Sequence, residues 1–164
     1  MIQQQNSSVH TVARGIFGLA LVLVVGSTAA AEPNCYPVLS RVELATSTEP
    51  GCTSEIGLCA TGKLRGTVRG NSEFTGTSFL STVETEASGV VVLTGDNLIH
   101  TAHGDLYTKD TIVLSTTGDG EFAELDVIVG GTGVFAGATG TLTGTGTFDG
   151  IQGEGLLIGE VCRP

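Results

Sequence analysis

Apolar residues in this chain recur at every second position far more often than at every third or fourth. After residue 32 no window of a dozen residues shows the i, i+3, i+4, i+7 spacing of an amphipathic helix. Short alternating or continuous apolar runs, rich in Thr, Val, Leu and Ile, instead predict strands at 38–45, 62–69, 73–81, 89–94, 98–106, 111–116, 121–129, 139–148 and 153–161. Turn residues part them: Arg69-Gly70-Asn71-Ser72, Gly95-Asp96-Asn97, Gly118-Asp119-Gly120 and Asp149-Gly150. Many short strands separated by hairpin signals predict an all-β sandwich or barrel.

Alternation also assigns faces. In 121–129, Ala123, Leu125, Val127 and Val129 share a face expected to point inward, and Glu124 and Asp126 share the opposite one, expected to meet water. In 139–148, five threonines alternate with Gly140, Leu142, Gly144, Gly146 and Phe148. A glycine-rich strand face marks tight curvature or close backbone approach, as a sheet closing on itself needs.

The first 31 residues break the pattern. Arg14, the apolar run 16–25 and Ala29-Ala30-Ala31 before Glu32 have the form of a secretory signal. The run is short for a membrane anchor, and Cys35 lacks the small-residue context of a lipid-modified cysteine. The expected organisation is a signal at 1–31, an N-terminal strand and disulfide loop at 32–61, and the rest of one β-barrel domain at 62–164. Cleavage removes one arginine and no acid, moving the net charge from −10 to −11. So acidic a chain repels phosphate backbones and anionic headgroups, which argues against nucleic acid or a membrane as partner. Secreted or periplasmic, it meets an oxidising compartment with Cys35, Cys52, Cys59 and Cys162. Of the three pairings four cysteines allow, the favoured one joins Cys52 to Cys59 and Cys35 to Cys162, tying the two chain ends. The cysteine spacing does not suit zinc, and no metal or other cofactor is expected.

The glycine-rich stretch 130–155 admits four readings. Gly131, Gly133 and Ala136 fit a dinucleotide fingerprint, with Asp149 at the right distance, but the Gly/Thr run that follows cannot sustain the helix that motif needs. A calcium-binding nonapeptide repeat would place aspartate where Phe135 stands. Val127, Ile128, Val129, Phe135, Leu142 and Phe148 are too many buried-type residues for a disordered tract. Extended chain remains.

Gly130, Gly131, Thr132, Gly133, Phe135, Gly137, Ala138 and Gly140 form GGTG-x-F-x-GA-x-G, which resembles the segment shared by the allene oxide cyclase and dirigent barrel superfamily. The resemblance extends over 62–162 and is closest to the uncharacterised secreted bacterial-type members. It implies an eight-stranded antiparallel, calycin-like barrel with an apolar cavity. It further implies a chemistry of cyclisation, or of steering radical coupling, that needs neither metal nor organic cofactor. No residue role carries over, because the matching positions shape a turn.

Barrel physics nominates candidates instead. His103, Asp105 and Tyr107 alternate on one face and could relay a proton, although a solvated outer stripe is the favoured alternative. Glu124 and Asp126 could act as paired carboxyls, or could join Asp119 and Glu121 in a charged rim. Leu125, Val127, Val129, Leu142, Phe135 and Phe148 are the expected lining. His100 and His103 are the only histidines after processing, and no Gly-x-Ser-x-Gly elbow supports a hydrolase. The expected function is binding of a small apolar molecule in the lumen, with cofactor-independent isomerase, cyclase or coupling-control activity as its enzymatic extension. The alternative is a non-catalytic extracellular barrel with a packed lumen that contacts other proteins, and either is compatible with oligomer formation.

Overall fold

The computed structural model describes residues 33–47, 51–81 and 89–164. The signal expected at 1–31 lies outside them. Eight strands run in chain order: β1 (Asn34–Thr46), β2 (Cys59–Gly66), β3 (Gly70–Ser81), β4 (Val90–Thr101), β5 (Gly104–Ser115), β6 (Glu121–Gly131), β7 (Thr139–Phe148) and β8 (Gln152–Arg163). Each is antiparallel to the next, and β1 also pairs with β8, so the sheet is a closed barrel. Closure leaves no exposed ladder edge among these strands. All eight belong to one compact unit, and the sequence boundary at 61/62 falls inside β2.

Two disulfides staple it, Cys35 to Cys162 and Cys52 to Cys59. Cys35 and Cys162 are register partners across the β1–β8 seam. Among the described residues no helix is long and apolar enough to cross a membrane.

The nine runs become eight strands because one turn signal is overridden. Gly95-Asp96-Asn97 lies inside β4, and the reversal comes later, at 102–103. Phe74, from β3, occupies the space a side chain at Gly95 would fill, so this glycine serves interior packing rather than a turn. Asp96 stays on the outer face, where any polar residue is solvated.

The barrel has two unlike ends. At the lower end, Val38, Val68, Leu106, Ile128, Phe135, Ala138, Leu142 and Val161 form a packed plug. Ser40 tightens it: its hydroxyl donates to the Val68 carbonyl at 2.9 Å and accepts the Val68 amide at 3.0 Å. The segment after β6 folds under this end through one 3-10 turn, Gly133–Phe135. Gly133, at φ 57°, brings the chain against the His103 carbonyl, which accepts the Val134 amide at 3.0 Å. The glycine motif is therefore a docking corner for the β4–β5 turn, followed by strand β7.

Leu142 is fully buried in the plug, so Leu142→Ala is expected to cost about 3 kcal/mol in chemical denaturation. Val127→Ala on the outer face is expected to cost under about 0.5 kcal/mol. Equal costs would contradict the face assignment described below.

Candidate ligand site in the barrel lumen

β6 faces the other way from its sequence expectation. Leu125, Val127 and Val129 are 45%, 42% and 55% exposed on the outer surface, while Phe122, Glu124, Asp126 and Ile128 point inward. The three predicted lining residues are therefore corrected to an outer stripe, and the two carboxyls expected in water belong to the lumen. The reason is register. A face is shared across a sheet, and Leu142, which points inward, is the direct partner of Asp126. Outer Leu125 pairs with Thr143, which pairs with Ile158, which pairs with Leu39, giving a largely aliphatic external row. Because this outer row is as apolar as a core, alternation alone selected the wrong face.

The lumen above the plug holds a cavity of about 80 Å³. Its walls toward the upper end are apolar, with Leu44, Phe74, Leu93, Leu114, Phe122 and Phe148 among them. Ser72, Asn97, Asp110, Glu124 and Asp126 add a polar patch to the same lining, Asn97 being the register partner of Phe74. Phe148 lies on the cavity wall, whereas Leu142 and Phe135 belong to the plug beneath. The glycine face of β7 makes room for this arrangement: the Glu124 side chain occupies the space that a Cβ on Gly144 would take.

Asp110 and Asp126 sit directly opposite each other on β5 and β6, 3% and 2% exposed. Asp110 is well supported, since its Oδ1 accepts the Thr108 hydroxyl at 2.6 Å and its carboxylate also accepts hydrogen bonds from Asn97 and Asp126. Burial raises its pKa to about 6, against the lowering effect of those donors. Burial, then the charges of Glu124 and Asp110, push Asp126 up to about 9. At neutral pH Asp126 is therefore protonated and donates to Asp110. Glu124 is pushed up to about 7 by burial and by the Asp110 charge. Oδ1 of Asp126 and Oδ1 of Asn97 are buried without any hydrogen-bond partner. An unmet buried acceptor is costly, so these two atoms are hydrogen-bonding capacity that the protein's own groups leave unused.

The cluster can hold and move a proton. One carboxyl is neutral and can donate, a second is close to half-ionised and can accept, and apolar walls screen both from bulk water. Among the described residues only Cys35, Glu160 and Cys162 bring three His, Cys, Asp or Glu ligand atoms within 4.8 Å, and those sulfurs are joined in the disulfide.

The other candidates lie outside. His103 is exposed in the β4–β5 turn, and Tyr107 is exposed on the outer face of β5. Asp105, also on the outer face, is hydrogen-bonded to His100 Nδ1 at 2.9 Å and accepts the Thr132 hydroxyl at 3.2 Å. Asp105 ties the start of β5 to His100 and Thr132, and none of the three residues lines the cavity. Asp110 was absent from the sequence candidates. Its signal was there: in 104–115, Leu106, Thr108, Asp110, Ile112 and Leu114 share a parity, which sets an acid within an inward series. Compared with family models, curated proteins and solved structures, the chain matches none, so the reading of this lumen rests on its own geometry.

Proposed function

We propose that this protein is an exported barrel that holds a small, largely apolar molecule in its lumen with the molecule's polar end on the carboxyl cluster. The signal-like segment at 1–31 and the two disulfides support export. The observation that carries the binding reading is the orphaned Oδ1 of Asp126, buried at the bottom of an apolar-walled cavity. Glu124 and Asp126, together with the resemblance to allene oxide cyclase and dirigent barrels, support an extension to catalysis. A bound molecule with a mobile proton would be isomerised or cyclised by transfer between these carboxyls, without a cofactor.

A second reading is favoured by two observations. A cavity of about 80 Å³ is well below the ~300 Å³ at which pockets take drug-sized ligands, and the outer row of Leu39, Leu125 and Ile158 is exposed. On this reading the barrel is filled and the outer face contacts another protein.

Methyl-resonance NMR during a titration with n-butanol separates the two. The lumen reading expects shifts at Leu93, Ile112 and Leu114, with Leu39, Leu125 and Ile158 unmoved. Outer methyls that shift with protein concentration, over lumen methyls that ignore the alcohol, would replace it with the second reading.

A further inference from the structure

The lumen is a set of acceptors without a counter-charge. Asp110, Glu124 and Asp126 are its ionisable groups, Ser72, Asn97 and Thr108 are buried or half-buried polar groups with them, and no described Lys, Arg or His lines the cavity. Arg41, Lys63, Arg65, Arg69 and Lys109 are exposed. Arg163 is spent at the opposite end of the barrel, where its guanidinium lies 4.8 Å from the centre of the Tyr36 ring. Buried carboxylates with no cation beside them are unusual, because desolvating an unpaired charge is expensive.

The orphaned atoms state what is missing. The Asn97 amide nitrogen is committed to the Asp110 carboxylate, so its Oδ1 is an unpartnered acceptor on a residue that lines the cavity. Asp126 meets Asp110 through its other oxygen, leaving Oδ1 as a second acceptor. Glu124 adds a third acceptor, from the side of β6 nearer the apolar walls. The complement of three separated acceptors around a net negative charge is a group with several N–H donors, no acceptor and a positive charge. A primary ammonium is that group. A neutral alcohol offers one donor, and a carboxylate offers none and adds repulsion. A divalent metal would need more than the Asp110–Asp126 pair, and Glu124 does not join them in a three-ligand group.

We infer that the lumen is a site for small hydrophobic primary amines, with the ammonium held by Asp126, Asn97 and Glu124 and a short hydrocarbon body lying between the leucine and phenylalanine walls. The inference rests on the lumen-binding reading and sharpens it. The cavity volume restricts the body to a few carbons, so polyamines and long-chain amines are excluded by size and by the apolar walls.

The test uses the full chain and three probes of one shape: n-butylammonium, n-butanol and butyrate, titrated by calorimetry at pH 7.5 with lumen methyl shifts as the site readout. Butylammonium is expected to bind at least tenfold more tightly than butanol, and butyrate not at all. Its affinity should weaken toward pH 5, where Glu124 and Asp110 take up protons and the charge it recognises is lost. Glu124→Gln is expected to weaken butylammonium about tenfold more than it weakens butanol, and Val127→Ala, on the outer face, should alter neither. Thermal melts check that both variants are folded. If Glu124→Gln does not fold, the pH series and the three-probe ranking on the unmodified chain decide. Butanol binding as tightly as butylammonium would overturn the amine inference and leave the lumen reading standing. Silence of the lumen methyls toward all three probes would overturn both.

Discussion

Replacing Cys35 and Cys162 together by serine is expected to lower the unfolding free energy by up to about 5 kcal/mol, measured by guanidinium denaturation of the oxidised protein. The bond joins residues 127 apart in sequence and so removes a large share of the unfolded chain's freedom. It also sits at the last closure of the barrel. β1 and β8 pair from Asn34 with Arg163 to Ala45 with Gln152, and this ladder brings the two ends of the barrel domain together. Without the bond, that pairing must meet the full loop-closure entropy on its own. Replacing Cys52 and Cys59 should cost about half as much, near 2.5 kcal/mol, because they are only 7 apart. Equal losses from the two pairs would refute the chain-entropy account, and no loss from the seam pair would mean the ladder alone secures closure.

Stability is expected to rise as pH falls from 8.5 to 5, the reverse of what ordinary paired carboxylates produce. Asp126 has a folded pKa near 9 against an ordinary value of 3.8, so between those limits the unfolded chain releases a proton that the folded chain keeps. Rising pH therefore favours unfolding. The stabilisation is complete below about pH 4 and is lost progressively up to about 9. Glu124, raised to about 7, and Asp110, raised to about 6, act in the same direction over narrower windows. The combined change is on the order of a few kcal/mol, read as a melting temperature that climbs on acidification. Asp149 opposes it only at lower pH: its carboxylate accepts the Ile151 and Gln152 amides, which holds its pKa down, and that contribution disappears as the group protonates. Asp126→Asn isolates the effect. The new amide can still donate to Asp110 but cannot ionise, so the variant should be more stable than the parent at pH 8.5 and show a flatter profile. A parent protein that gains stability with rising pH across this range would show that Asp126 ionises freely, and the buried cluster would have to be abandoned.

These two expectations draw on different parts of the sequence. The disulfide framework was readable from four cysteines and an export-like N-terminus, because in a chain with an even count the terminal pair is well placed to close a domain whose ends meet. The strand content was readable too, since period-two runs of Thr, Val and Leu do not suit a helix. The cluster was not. Its three acids lie in alternating strands whose opposite faces are apolar or mixed, and local amphipathicity rewards the reading that puts Leu125 and Val127 inside and Asp126 outside.

By itself, then, the sequence determined an all-β chain, the positions of most strands, an even cysteine count whose favoured pairing the structure shows, and a glycine corner that is not a nucleotide loop, because each follows from local backbone preference or from counting. The outer position of His103, Asp105 and Tyr107 was already the favoured sequence reading, whereas only the tertiary structure decided that Gly95-Asp96-Asn97 is strand and that Asp110, Glu124 and Asp126 share the lumen. The physical reason is that facing in a barrel belongs to the whole sheet. Once Leu142 is buried, its hydrogen-bonded neighbour Asp126 is carried inward with it, whatever its own strand would prefer.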